Sequence, residues 1–377
     1  ERVCVCVCVC VVCMATRRLA RDIIIRSSRS GDGLVIRRTG APLCYHLSCR
    51  GTAKHSELGE RGFLSSWPRL RFDVRAMSSS KKKEFPEGAF LKDSEGGQVV
   101  ALPCVDIGAN LVDDAFDKDV DEVLERARRA GLRALVVTGT SLKGSEMAIR
   151  FANEKSSESL RVYATCGVHP HDAKSVDEDT MSKIRELAKD PKCVAIGECG
   201  LDFDRNFSPQ DTQKDVFEQQ LLLAKELGKP VFMHCRDASA SLREIMEKAD
   251  CSFKSDEGGM EGVVHCFTGT MEEAKAFLDL GLHIGITGWI CDDREDRSVN
   301  LSRVVKEVPR GKLMVETDAP YLTPRSIRPN RVRPWRNEPC LLPHVMAKVA
   351  EARGETVEDL ASHAFQTSVD FFGLEAQ

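Results

Sequence analysis

The sequence predicts an α/β protein, a TIM barrel of the (β/α)8 kind, and three observations predict it. Short apolar runs, eight in all, alternate with longer amphipathic stretches from Val99 onward. The alternation covers about 270 residues, the usual size of such a barrel. Glu198, His234, His265 and Asp318 each end an apolar run, and strand C-termini are where these barrels place their chemistry. The rival architecture, an open doubly wound sheet, often carries a Gly-rich dinucleotide fingerprint that is missing here.

Taken in order, the expected strands are Val99–Ile107, Ala134–Thr138, Val162–Val168, Cys193–Gly197, Pro230–His234, Gly262–His265, His283–Ile286 and Leu313–Glu316. Between the first two, Val120, Val123, Leu124, Ala127 and Ala130 recur at helical spacing, and Gly131 supplies the stop. Ser208-Pro209-Gln210-Asp211 predicts a helix capped by Ser208 with Pro209 in its first turn, ended by Gly228. Thr270-Met271-Glu272-Glu273 is a capping box for the helix that follows.

The chain is not uniform. With 377 residues and 42 % hydrophobic content, it is neither a disulfide mini-protein nor a wholly disordered chain. Residues 1–83 carry 17 Lys and Arg against 6 Asp and Glu, whereas the remainder is acidic, at −15. Five of the 16 cysteines lie in residues 1–13, four of them alternating with Val from Val3 to Cys10, as a translated TG repeat would read. Those residues are therefore expected to be a gene-model artefact, with Met14 the start; a metal-binding Cys tract fits less well, because no His is present. Residues 14–98 form a basic, disordered extension: Arg17, Arg18, Arg21 and Arg26 interleave with Leu19 and Ile23 to Ile25, as in an organellar transit peptide. A plain basic tail, or a start at Met77, stands beside that reading, and Ser78 to Gly97 reads as linker. The other cysteines show no CxxC pair, which fits a reduced intracellular compartment, mitochondrial or another organelle if the leader is real and cytoplasmic or nuclear otherwise. No run of 18 apolar residues exists, so neither a transmembrane helix nor a membrane partner is expected.

Two imidazoles and two carboxylates converging on one barrel mouth make a divalent-metal set, combining neutral nitrogen with anionic oxygen donors. Cysteines directly follow three of the four, at Cys199, Cys235 and Cys266. Side chains alternate across a strand, so these thiols are expected to point outward and pack against helices.

At these residues the sequence resembles the TatD family of metal-dependent deoxyribonucleases, within the metallo-dependent hydrolases. The motifs are Asp106-Ile-Gly-Ala-Asn110, Gly167-Val-His-Pro-His-Asp172, Ile196-Gly-Glu-Cys-Gly-Leu-Asp-Phe-Asp-Arg-Asn-Phe207, Val231-Phe-Met-His-Cys-Arg-Asp237, Val264-His-Cys-Phe-Thr-Gly269, Ile284-Gly-Ile-Thr-Gly-Trp289, Val315-Glu-Thr-Asp-Ala-Pro-Tyr-Leu322 and Arg336-Asn-Glu-Pro339. The resemblance covers residues 99–374 and implies metal binding by Glu198, His234, His265 and Asp318, and a nucleic-acid substrate attacked from its 3′ end. Many relatives carry His-x-His at the end of the first strand, where this chain has Gly108 and Asn110. Losing two nitrogen donors shifts the preference toward Mg²⁺, with Mn²⁺ or Zn²⁺ as alternatives, and leaves one or two ions bound.

The expected activity is hydrolysis of phosphodiester bonds, as a 3′-5′ exonuclease on single-stranded DNA with RNA as the second candidate. Glu198, His234 and His265 hold the ion, and Asp318 orients the water and acts as its base. His169 or His171 donates a proton or hydrogen bond to a phosphate oxygen, unless His171 is a loop residue held by Asp172. Arg205 and Arg236 clamp phosphate oxygens, unless Arg236 pairs with Asp202 or Asp237. Tyr321 stacks a base, Trp289 is expected to be packing, and Arg325, Arg328, Arg331, Arg333 and Arg336 form a strand-guiding patch. The acidic domain lacks the basic footprint that duplex binding requires, so a single strand entering a narrow mouth is the expected partner, with the protein a monomer or weak oligomer. Two rivals remain: a hydrolase of another class on the same barrel, such as an aminoacyl-tRNA deacylase or amidohydrolase, and a metal-free scaffold.

Overall fold

The computed structural model describes strands 23–27, 34–38 and 45–47 by their backbone, and residues 85–92, 101–254, 258–292, 294 and 296–375 in full or in part. The chain divides into two units, residues 1–78 and 79–377. In the first, β1 (Ile23–Ser27), β2 (Leu34–Arg38) and β3 (Tyr45–Leu47) form an antiparallel sheet in that order. These strands lie in the stretch read as a disordered tail, and their Ile and Val content suits an extended backbone. The Val-Cys repeat, Met14 and Met77 lie outside the described residues.

The second unit holds eight parallel strands in sequential order: β4 (Cys104–Ala109), β5 (Leu132–Val137), β6 (Arg161–Cys166), β7 (Cys193–Asp202), β8 (Val231–Arg236), β9 (Gly262–Val264), β10 (His283–Ile286) and β11 (Leu313–Val315). The first and last meet at their C-terminal ends: Ala109 bridges Ala319, and the Asp318 N–H donates to Gly108 O at 2.8 Å. The expected TIM barrel is therefore the observed one. Every predicted strand is present, but β7 continues to Asp202 rather than stopping at Gly197, because it pairs with β8 as far as Asp202 and Arg236. A shift between Gly197 and Cys199 makes that extension feasible. Gly197 has φ +147°, and a Cβ there would lie 2.2 Å from Phe232 O, so glycine is required.

Helices fill the crossovers, α1 (Val120–Arg129), α2 (Leu142–Lys155), α3 (Thr180–Leu187), α4 (Gln210–Leu227), α5 (Ser239–Lys248), α6 (Met271–Asp279) and α7 (Asp296–Glu307), and α8 (Leu342–Arg353) and α9 (Val357–Phe372) follow the last strand. The Thr270 capping box and the left-handed Gly228 terminus are as expected. Ser208 is not the cap of α4; Pro209 takes that place, and the Ser208 hydroxyl donates to His171 O at 2.7 Å.

Alternation along the strands divides the core in two. Inside the barrel lie Val105, Ile107, Ala134, Val136, Phe232, Val263 and Met314, with Phe371 and Phe372 of α9 packed on the same cluster. Each such Phe contributes about 1.5–3 kcal/mol on burial. The outer core packs strands on helices and includes Cys199, with Cys235 against it, so these two thiols are packing residues. Cys266 differs: its Sγ sits 3.6 Å from Thr287 Oγ1, at a backbone φ of +45°. Part of the expected linker also belongs to the barrel unit: Ala89 and Phe90 are buried, and His344 Nε2 donates to Ala89 O at 2.8 Å.

Candidate metal centre

The mouth at the strand C-termini is built around one carboxylate oxygen. Glu198, buried on β7, places Oε1 2.7 Å from His265 Nε2, 3.2 Å from His234 Nδ1 and 3.2 Å from His169 Nε2. His234 comes from β8, His265 follows β9 and His169 follows β6, so parallel order alone sets them side by side. Among the described residues, ligand atoms of His169, Glu198 and His234 lie within 4.8 Å of one another, a spacing suited to a metal ion.

Three imidazoles facing one oxygen cannot all be satisfied by its lone pairs. His234 Nε2 and His265 Nδ1 are buried without a hydrogen bond, as is Glu316 Oε2, which stands 3.4 Å from His265 Nδ1. A divalent cation accepting nitrogen lone pairs resolves this arrangement, and imidazole plus carboxylate is the donor chemistry such an ion takes. His169 is distinct. Its Nδ1 accepts the His171 backbone N–H at 3.1 Å, so in the neutral ring the proton resides on Nε2, which faces Glu198 as a donor. His169 is thus close enough to ligate but protonated on the wrong nitrogen.

Electrostatics follow from this packing. Burial works to raise the Glu198 carboxyl, but the imidazoles of His265 and His169 outweigh it and hold it well below its usual range. Burial would depress His265, yet Glu198 and Glu316 raise it well above the ordinary imidazole range. Burial dominates at His169 and lowers its pKa, keeping it neutral. Asp318 is pushed up to about 8, by burial first and by Glu198 and Glu316 in addition. Its Oδ1 accepts from Asn110 Nδ2 at 3.0 Å, and its φ is +53°.

The remaining expected site residues separate. His171 is held by Asp202, at 2.7 Å, and not by Asp172; Asp202 Oδ2 also lies 3.4 Å from His234 Nε2. Arg236 forms an ion pair, but with Asp204 at 2.7 Å rather than Asp202 or Asp237. Arg205 is exposed, and its backbone N–H donates to Asp202 Oδ1 at 2.9 Å. Tyr321 is exposed, its hydroxyl 3.3 Å from Asp113 Oδ2, while Trp289 packs on the outer core as expected. Arg336 leaves the proposed patch: it is buried and bonded to Asp119, Glu338 and Ala115 O.

Sequence reasoning passed over Asp202 and Glu316 as part of the centre. A signal existed for Asp202, four residues beyond Glu198 on one strand and hence on the same face. Gly108, noted as a departure from His-x-His, has a steric cause: a Cβ there would lie 2.4 Å from Glu316 Oε2.

A family model described as "TatD related DNase" matches residues 105–373. The chain belongs to the TatD family. A Rahnella protein named "3'-5' ssDNA/RNA exonuclease TatD" is 47% identical over 272 residues, covering 72% of this chain and 99% of that protein. A Klebsiella pneumoniae protein of the same name is 44% identical over 274 residues, covering 72% and 98%. Among solved structures, a TatD family hydrolase from Entamoeba histolytica aligns with TM-score 0.63 at 27% identity, covering 72% of this chain and 99% of its own. A structure described as an uncharacterized amidohydrolase from Saccharomyces cerevisiae aligns at TM-score 0.59 and 25% identity, covering 72% and 100%. No described helix is long and apolar enough to cross a membrane.

Proposed function

We propose that the chain is a divalent-metal-dependent 3′-5′ exonuclease that removes mononucleotides from single-stranded DNA, with RNA as a second substrate. The observation that carries this reading is the convergence of His169, His234 and His265 on Glu198 Oε1 at the barrel mouth. The names of the TatD relatives support the substrate class.

Glu198, His234, His265 and Asp318 hold the ion in this reading, with Mg²⁺ the preferred occupant and Mn²⁺ or Zn²⁺ tolerated. When bound, it polarises the scissile phosphate and makes its water more acidic.

The protein's own groups manage the protons. Asp318, as the carboxylate, takes a proton from the attacking water as its oxygen bonds to phosphorus. His169 Nε2–H hydrogen-bonds the O3′ leaving oxygen as the P–O3′ bond breaks, and a solvent water supplies the proton that oxygen takes up, so proton uptake and release balance. Asp202 keeps His171 turned toward the mouth. Arg205 is the exposed candidate for a phosphate oxygen, whereas Arg236 must first leave Asp204. Arg328 and Arg331, both exposed, remain the guide for an entering strand. The protein is proposed to act as a monomer or weak oligomer in a reduced compartment.

The full chain with Mg²⁺ is tested on 3′-labelled single-stranded DNA. Mononucleotide release that disappears in Glu198→Ala and His234→Ala and on chelation supports the reading; absence of release from the wild type overturns it. The yeast structure's description favours an amidohydrolase as the alternative, and a panel of amide and aminoacyl-ester substrates separates the two.

A further inference from the structure

The loop between β7 and α4 holds a phenylalanine out of the fold. Phe207 is 54% exposed, although an apolar ring of this size is ordinarily covered. Disorder does not account for it, because the backbone is pinned on both sides. Phe207 O accepts from Lys174 Nζ at 2.8 Å, and the next residue, Ser208, is fully buried with its hydroxyl on His171 O. On the other side, Asn206 Nδ2 donates to Phe203 O at 2.6 Å.

The ring's position is specific. Phe207 meets His171 edge to face, with centroids 4.7 Å apart, and His171 meets His169 in the same manner at 4.3 Å. A line of three rings therefore runs from solvent to Glu198. An exposed aromatic ring on a pinned backbone, two rings from Glu198, is what a nucleobase stacks upon.

We propose that Phe207 is the stacking platform for a nucleobase adjoining the scissile phosphate, and so a residue that sets the requirement for a nucleic-acid substrate. The proposal rests on the nuclease reading above. Tyr321, the aromatic expected from sequence to stack, has its hydroxyl committed toward Asp113.

The test is a cycle between the ring and the base. Single-stranded oligonucleotides carry either a normal nucleotide or an abasic residue at the 3′-terminal or the penultimate position, and KM and kcat are measured for wild type, Phe207→Ala, Phe207→Leu and Phe207→Trp. Removing one of the two bases is expected to raise the wild-type KM about ten-fold, equivalent to about 1.4 kcal/mol, within the range for one stacked base. Phe207→Ala raises KM similarly on normal DNA and no longer distinguishes the abasic strand, while Phe207→Trp restores discrimination. Phe207→Leu, which keeps an apolar contact with His171, behaves like Phe207→Ala. If Leu restores wild-type KM, or if Phe207→Ala still discriminates against the abasic strand, the ring merely supports His171 and the proposal is overturned. A wild type that cleaves no strand at all overturns the nuclease reading instead.

Discussion

His169 faces Glu198 across 3.2 Å with the proton on its Nε2, because the His171 N–H already occupies its Nδ1. Distance alone would make this ring a metal ligand; its hydrogen bonding makes it a donor. The two roles differ in what removal does. His169→Ala is expected to lower kcat by about 10²–10⁴ while Mn²⁺ affinity, measured by calorimetry, stays close to wild type. His234→Ala should lose the Mn²⁺ heat itself. Loss of Mn²⁺ binding in His169→Ala would place His169 among the ligands.

Asp202 supports two imidazoles, at 2.7 Å from His171 and 3.4 Å from His234. Asp202→Asn keeps the shape and removes the charge. Partners of this kind typically cost about 10–100-fold in metal affinity or activity when removed, and Asp202→Asn is expected to fall in that range. Steady-state kinetics against Mg²⁺ concentration checks it; unchanged Mg²⁺ dependence and kcat would remove Asp202 from the centre.

Asp318 supplies a pH-dependent signature in the chelated protein. Its folded pKa, about 8, lies above that of an ordinary carboxyl. The neutral form is therefore favoured by folding, so this contribution is complete below the usual carboxylate range and lost as pH rises through about 8. In EDTA at pH 8, Asp318→Asn is expected to melt about 2–5 °C above wild type, with the gap closing toward pH 4. Adding Mg²⁺ should reverse the order, since only the wild type retains the carboxylate. Parallel melting curves across pH would contradict the placement.

Gly108 and Glu316 compete for one volume. Gly108→Ala brings a Cβ to 2.4 Å from Glu316 Oε2 and 3.1 Å from the end of the Phe232 ring. Overpacking of this kind costs about 1–3 kcal/mol, and urea denaturation should show it. Pairing the change with Glu316→Ala should recover part of the loss; no recovery would mean that the strain lies elsewhere.

Arg336 and Arg331 belong to one Arg-rich segment and should respond in opposite ways. Arg336 is buried between Asp119 and Glu338, and breaking such an arrangement costs about 3–5 kcal/mol. Arg336→Ala should therefore lower thermal stability. Arg331 is exposed, and Arg331→Ala should leave the melting temperature unchanged while raising KM for DNA and reducing its salt dependence. A salt-dependence change in Arg336→Ala without destabilisation would return it to the strand-guiding patch.

The barrel was legible because its periodicity is local. Apolar runs of five residues, a Gly stop at Gly131 and the Thr270 capping box are all decided by neighbours within one turn or one strand. The placement of Glu198, His234, His265 and Asp318 at the strand C-termini was legible for a related reason: a polar residue ending an apolar run must emerge at the mouth of a parallel barrel. What local reading got wrong was partnership. Arg236 chose Asp204, His171 chose Asp202, and Ser208 left its helix cap for His171 O. Asp172 and Asp237 were the sequence neighbours of His171 and Arg236, whereas the actual partners, Asp202 and Asp204, come from the end of β7 and the loop after it.

By itself the sequence determined the alternation of strands and helices, the end of the barrel at which the polar side chains gather and the residue types found there. Only the tertiary structure decided which imidazoles converge on Glu198 Oε1, what a side chain at position 108 would meet and that Phe207 stands exposed against His171. The reason is physical: periodicity and capping depend on contacts within a few residues, whereas steric exclusion and ion pairing depend on atoms placed within about 3.5 Å by the closure of distant strands.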